Sequence, residues 1–133
     1  MDIVEIEKVL TNWTASLLNL TVDKQIFRGS IPTGKLGIAV ILGSEIPTSG
    51  QFRPKVYNLQ ILGKFTDRDS AVRMLSRLSG ALPLHETNIS GMRFKSISQQ
   101  GGGEPYKAED NGKIYWYASF NATAVVLTSG AQI

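Results

Sequence analysis

Apolar residues at Ile3, Ile6, Leu10, Trp13, Leu17 and Leu20 recur at steps of three and four, with Glu5, Lys8, Asn12 and Ser16 between them. That period gathers one stripe on one side of a helix, so the pattern predicts an amphipathic α-helix over residues 2–20. Asp2 is placed to cap its start, and Glu5 suits the positive end of the helix dipole. After Thr21 the period falls to two. Residues 25–29 read as a short strand, with a turn at Ser30, Pro32, Thr33 and Gly34. Across 35–43, Leu36, Ile38, Val40 and Leu42 share one face while Gly37, Ala39, Ile41 and Gly43 share the other. Both faces are apolar or small, which predicts a central strand covered on both sides. Over 55–65, Tyr57, Leu59, Ile61 and Phe65 point one way and Asn58, Gln60 and Lys64 the other, so one face meets the core and the other is wetter.

Thr66, as N-cap, and Asp69 form a capping-box variant that opens a second helix. Its buried stripe is Ala71, Val72, Leu75, Leu78 and Leu82, with Met74 at the margin, and Gly80 and Pro83 stop it. Residues 89–97 read as a further strand. Asn111 and Gly112 mark a tight turn of the primed type into the longest strand, where Ile114, Trp116, Ala118, Phe120, Ala122, Ala124 and Val126 are apolar in register. Residues 127–133 read as a loose tail. The order is α, β, β, β, α, β, β, with an extra short strand admitted near Tyr106. The expected fold is a single α+β domain over 1–133: a mainly antiparallel sheet, two amphipathic helices packed on one face, and long β-hairpin loops. The loops are 44–54 (SEIPTSGQFRP) and 98–106 (SQQGGGEPY). Both are expected to project and meet partners, with Glu45, Thr48, Gln51, Phe52, Arg53, Gln99, Gln100, Glu104, Tyr106 and Lys107 as the contacting residues.

Composition narrows the chemistry. Without cysteine, the 133 residues offer no disulfide, thiolate metal site or cysteine nucleophile, and a single histidine, His85, closes multi-histidine metal sites. Neither a signal-peptide pattern nor a run of about 18 apolar residues is present, so a soluble chain assembled in the cytosol is expected, with no membrane partner. The formal charge of +3 is small but unevenly placed: residues 1–23 carry −3, residues 24–95 carry +7, and residues 96–133 carry −1. A solvated surface accounts for this, and so do complementary faces that dock copies of the chain or a neighbouring protein.

No residue set announces catalysis. His85 lies beside Glu86 after the helix stop without a visible nucleophile, and reads as a surface residue in a helix-to-strand connection. Glu109 and Asp110 are adjacent, so their carboxylates point apart rather than forming an acid-base or magnesium pair. Ser30, Ser44, Ser90 and Ser119 sit in no nucleophile elbow. The three glycines 101–103 lack the Gly-Lys-Ser/Thr ending of a phosphate loop and are followed by Pro105. No enzymatic activity and no cofactor are expected. Arg73 and Arg77, with Arg68 nearby, share one side of the second helix, and Asp69 is one turn from Arg73 and so placed to pair with it. Tyr115 and Tyr117 face away from the apolar side of their strand and read as cross-strand packing or a subunit interface.

Taken together the succession resembles the tail terminator proteins of tailed bacteriophages, also called minor capsid or tail completion proteins. The parts that carry the resemblance are VEIEKVLTNW, QIFRGSIPTG, GIAVILGSE, YNLQILGKFTDRDSAVRMLSRLSGALP and EPYKAEDNGKIYWYASFNATAVV, which together extend over about residues 2–127. The resemblance implies a structural virion protein, assembled in the host cytoplasm and located at the tail end nearest the head. It implies a homo-oligomeric ring, hexameric, that caps the tail tube, ends tube polymerisation and offers a docking surface to the head-completion or neck protein. Transient contact with DNA passing through the ring follows from the same picture. Alternatives are another neck adaptor or head-completion protein, or a small basic nucleic-acid-binding module.

Overall fold

The computed structural model describes residues 3–46, 54–101 and 103–127, the Ser44 side chain excepted. The helix α1 (Ile3–Leu18) leads into β1 (Ile26–Arg28), β2 (Gly37–Ile46) and β3 (Lys55–Phe65). The helix α2 (Arg68–Ala81) follows, then β4 (Leu84–Ile89), β5 (Met92–Gln99), β6 (Tyr106–Asp110) and β7 (Lys113–Val126). The strands form one sheet in the order β1-β2-β3-β7-β5-β4, with β6 also paired to β7. Among the described strands, β1 and β2 pair in parallel and the other pairings are antiparallel; Val22 adds an isolated parallel bridge to Ile26. This is an α+β fold.

Both helices lie on the same face. The α1 helix packs over β1 and β2, and α2 over β3 and β7. Period-two placement sends Ile38, Val40 and Leu42, then Tyr57, Leu59 and Ile61, then Ala118, Phe120, Ala122, Ala124 and Val126 to that face, where all are buried. Ile6, Leu10, Ala71, Met74 and Leu78 close over them. Gly63 belongs to the same layer because a Cβ there would meet the Phe65 ring at 2.5 Å and Met74 Sδ at 2.7 Å.

The buried side of α1 is rotated from the expected stripe. Thr11, Thr14, Ala15 and Leu18 are buried with Ile6 and Leu10, whereas Trp13, Leu17 and Leu20 are half-buried and Ile3 is exposed. Two threonines tolerate this position because their hydroxyls donate to the Glu7 and Leu10 carbonyls one turn earlier, at 2.7 and 2.8 Å. They then pack like valines. The helix ends at Leu18 rather than Leu20, where Asn19 adopts a positive φ and the Leu20 N–H donates to the Ala15 carbonyl. Asp2, the expected cap, lies outside the described residues.

The α2 helix is capped one residue later than expected. Asp67, not Thr66, is the N-cap, and its carboxylate accepts from the Ser70 N–H at 2.9 Å. The expected strand over 89–97 is a hairpin of two strands, β4 and β5, turning at Ser90 and Gly91, which both have positive φ. His85 therefore stands on an edge strand, exposed and opposite Ser96, rather than in a connection. The short strand near Tyr106 exists as β6, and Asn111 and Gly112, both at positive φ, turn it into β7, the longest strand. Coverage of β2 is one-sided: Ala39 is buried on the far face, but Ile41 and Gly43 are only half-buried because no described helix crosses there.

Candidate interaction surface

The two loops fare differently. The β2 and β3 strands are antiparallel neighbours and so form a hairpin, but β2 runs on to Ile46, which puts Glu45 in the ladder opposite Tyr57 rather than in the expected loop 44–54. Glu45, exposed at its base, lies 3.6 Å from Lys55 Nζ. Thr48, Gln51, Phe52 and Arg53 fall outside the described residues.

Segment 98–106 does not form the expected hairpin loop. The β5 strand ends with Gln99 opposite Ala122, and β6 begins with Tyr106 opposite Tyr117. The β3 strand occupies the other edge of β7 through Phe65 opposite Trp116, so β5 and β6 share one edge. They are two lengths of one interrupted strand, with six residues, 100–105, set against four on β7, 118–121. The surplus must leave the ladder, as in an enlarged β-bulge.

The base of this bulge is fixed. The Gln99 side chain accepts from Ser79 Oγ at 2.8 Å and donates to the Gly101 carbonyl at 3.1 Å. The Gln100 N–H donates to the Asn121 carbonyl at 2.8 Å. Glu104 is exposed beside Gln99 on a cleft of about 340 Å³ whose other wall is Arg68, Val72 and Leu75 of α2. Tyr106 is 49% exposed and stacks on Tyr117, with ring centroids 5.6 Å apart. Lys107 Nζ lies 5.4 Å from the Trp116 ring centroid. Gln99, Gln100, Glu104, Tyr106 and Lys107 thus line one edge, while Glu45 stands at the end of the sheet marked by Lys55 and Val126.

Lys64 and Asp110 form a pair that the sequence pattern does not reveal. Lys64, expected on the wetter face, is buried, and its ammonium donates to Asp110 Oδ2 at 2.5 Å. The Tyr115 ring centroid is 4.3 Å from the same nitrogen. The hydrogen bond to Asp110 raises the Lys64 pKa above the ordinary lysine value and outweighs burial, which acts the other way. Glu109 is exposed, as expected for a residue turned away from its neighbour Asp110. Tyr115 and Tyr117 serve cross-strand packing through Lys64 and Tyr106. No ion pair among the described residues joins Asp69 to Arg73.

Among the described residues, no helix is long and apolar enough to cross a membrane. The chain matches no known protein-family profile, and no curated protein matches it at significant similarity.

Proposed function

We propose that the protein is a structural virion component of the tail-terminator kind. Copies assemble into a ring, hexameric by the resemblance, that caps the tail tube, ends its polymerisation and presents a surface to the head-completion protein. The observation that carries this reading is the bulged edge at 99–107. Its base is tied to α2 and β7, while Tyr106 and Glu104 face solvent. Contact groups held on a rigid base lose little entropy on docking, which suits a protein that works by its surfaces.

The test is to polymerise the tail tube protein of the same virion, with and without the purified protein, and to measure tube length and end density by negative-stain microscopy. Short tubes carrying an annular cap are expected. Tubes of unchanged length with bare ends, at micromolar concentrations of both proteins, would remove the proposal.

A further inference from the structure

The β6 strand pairs only with β7 among the described strands, and its side chains are exposed or half-buried throughout. At its base, Tyr106 and Lys107 stand opposite Tyr117 and Trp116, which also pair with Lys64 and Phe65 of β3. Beyond Trp116 the β3 ladder stops, so Lys113, Ile114 and Tyr115 have β6 as their one described strand neighbour. Residues 108–115 are therefore a two-stranded ribbon that runs past the end of its sheet. Glu109, Asn111, Gly112 and Lys113 are exposed at its tip, and Ile114 is 66% exposed. A ribbon with neither a third strand nor a covering layer is marginally stable at best. Among the described residues, one side-chain hydrogen bond joins 108–115 to the rest of the chain: the Lys64 ammonium donates to Asp110 Oδ2. The Tyr115 ring stands over the same nitrogen.

We infer that residues 108–115 form an arm that unzips from its tip while the rest of the sheet stays folded, with the Lys64 and Asp110 pair as the latch that holds it shut. Opening gives up the pairs Ala108↔Tyr115, Glu109↔Ile114 and Asp110↔Lys113 together with the latch, and returns the Lys64 ammonium to water. Little apolar surface is uncovered, because the arm holds no member of the buried core. Such an opening belongs to the low-energy end of native-state fluctuations. Tyr106 and Lys107 stay in the sheet, since their partners on β7 are also held by β3. The arm thus hinges next to the edge at 99–107, and a partner seated on that edge meets a strap that stands open or shut. This goes beyond the ring reading and does not rest on it.

Native-state amide exchange on the full chain at neutral pH, repeated in low urea, tests the arm and the latch separately. Amides of 108–115 should exchange at least roughly tenfold faster than those of 118–126, with a much weaker dependence on urea, because a local opening exposes little surface. Asp110→Ala leaves the closed arm over an unpaired ammonium and should speed exchange across 108–115 roughly tenfold, the scale of one hydrogen bond to a charged group. Adding Lys64→Met removes that ammonium and should bring the rate back to within about twofold of the unmodified chain. Asp110→Asn, which keeps the shape and drops the charge, replaces Asp110→Ala should the latter fail to fold. Amides of 108–115 that share both the rate and the urea dependence of 118–126 overturn the arm. A rate unmoved by loss of the Asp110 charge, or one that Lys64→Met does not restore, overturns the latch.

Discussion

Replacing either member of the Lys64 and Asp110 pair is expected to have unequal consequences, because the two ends of the hydrogen bond sit in different solvent. The Lys64 side chain is 8% exposed and that of Asp110 39%. Asp110→Ala leaves an ammonium in a site that water scarcely reaches, beside the Tyr115 ring and Tyr117. Breaking a fully buried pair costs about 3–5 kcal/mol, and a lost hydrogen bond to a charged group about 1.5–3 kcal/mol. Since water reaches the Asp110 side, about 1–2 kcal/mol is expected, or roughly 4–8 °C in Tm for a domain of this size. Lys64→Met keeps the apolar stem and returns Asp110 to water, so its cost is expected below about 0.5 kcal/mol. The pKa of Lys64 is raised in the folded state, so its contribution is complete below the ordinary lysine value and is lost as pH rises through the folded value. Urea denaturation of the three proteins at neutral pH, repeated above the lysine range, reads both effects. If Lys64→Met costs as much as Asp110→Ala, or if the Asp110→Ala deficit persists at alkaline pH, the account of a buried cation held by a wet carboxylate is wrong.

Phe120→Ala should cost about 3–5 kcal/mol by leaving a cavity under the helices, checked by denaturant midpoint with an unchanged m-value. Gly37→Ala should destabilise by about 1–3 kcal/mol, since φ is 138° and a Cβ would stand 2.4 Å from the Gln25 carbonyl oxygen; a neutral result in thermal unfolding would show that β1 moves freely against β2. Asp67→Ala should lower Tm, with Asp67→Ser restoring most of it by capping α2 again. Hydrogen bonds from the Ser70 N–H and hydroxyl hold the Asp67 carboxyl below the ordinary carboxylate range, so its contribution is present above that range and fades as pH falls through the depressed value. The Asp67→Ala deficit should therefore shrink in acid.

Strong alternation made β2, β3 and β7 legible, because each sends an unbroken apolar file to one covered face. The β4 strand left no such trace. As an edge strand with a positive φ at Glu86, it has neither a buried file nor a regular period, so only Ser90 and Gly91 signalled the hairpin. The α1 stripe was misplaced for another reason: hydropathy ranks Thr11 and Thr14 as polar, although their hydroxyls are consumed by their own helix. Lys64 was invisible as a buried cation because its partner lies 46 positions away and becomes adjacent only through the β3-β7-β6 register. The candidate surface was legible as a segment and illegible as a shape.

That shape changes how 98–106 is expected to act. A free hairpin loop of nine residues is tethered by strands that leave its middle unsupported, and much of its order must be gained on binding. Here both ends are already in the ladder of the same strand, and the surplus over β7 is only two residues. Gln99 reaches across to Ser79, so α2, β7 and the bulge share one rigid base. Gly101, at positive φ, and Gly103, close under the Ser119 carbonyl, stand where the extra residues leave the ladder. A bulge of this kind moves with the sheet. Load placed on Glu104 would therefore pass to α2 through the cleft lined by Arg68, Val72 and Leu75.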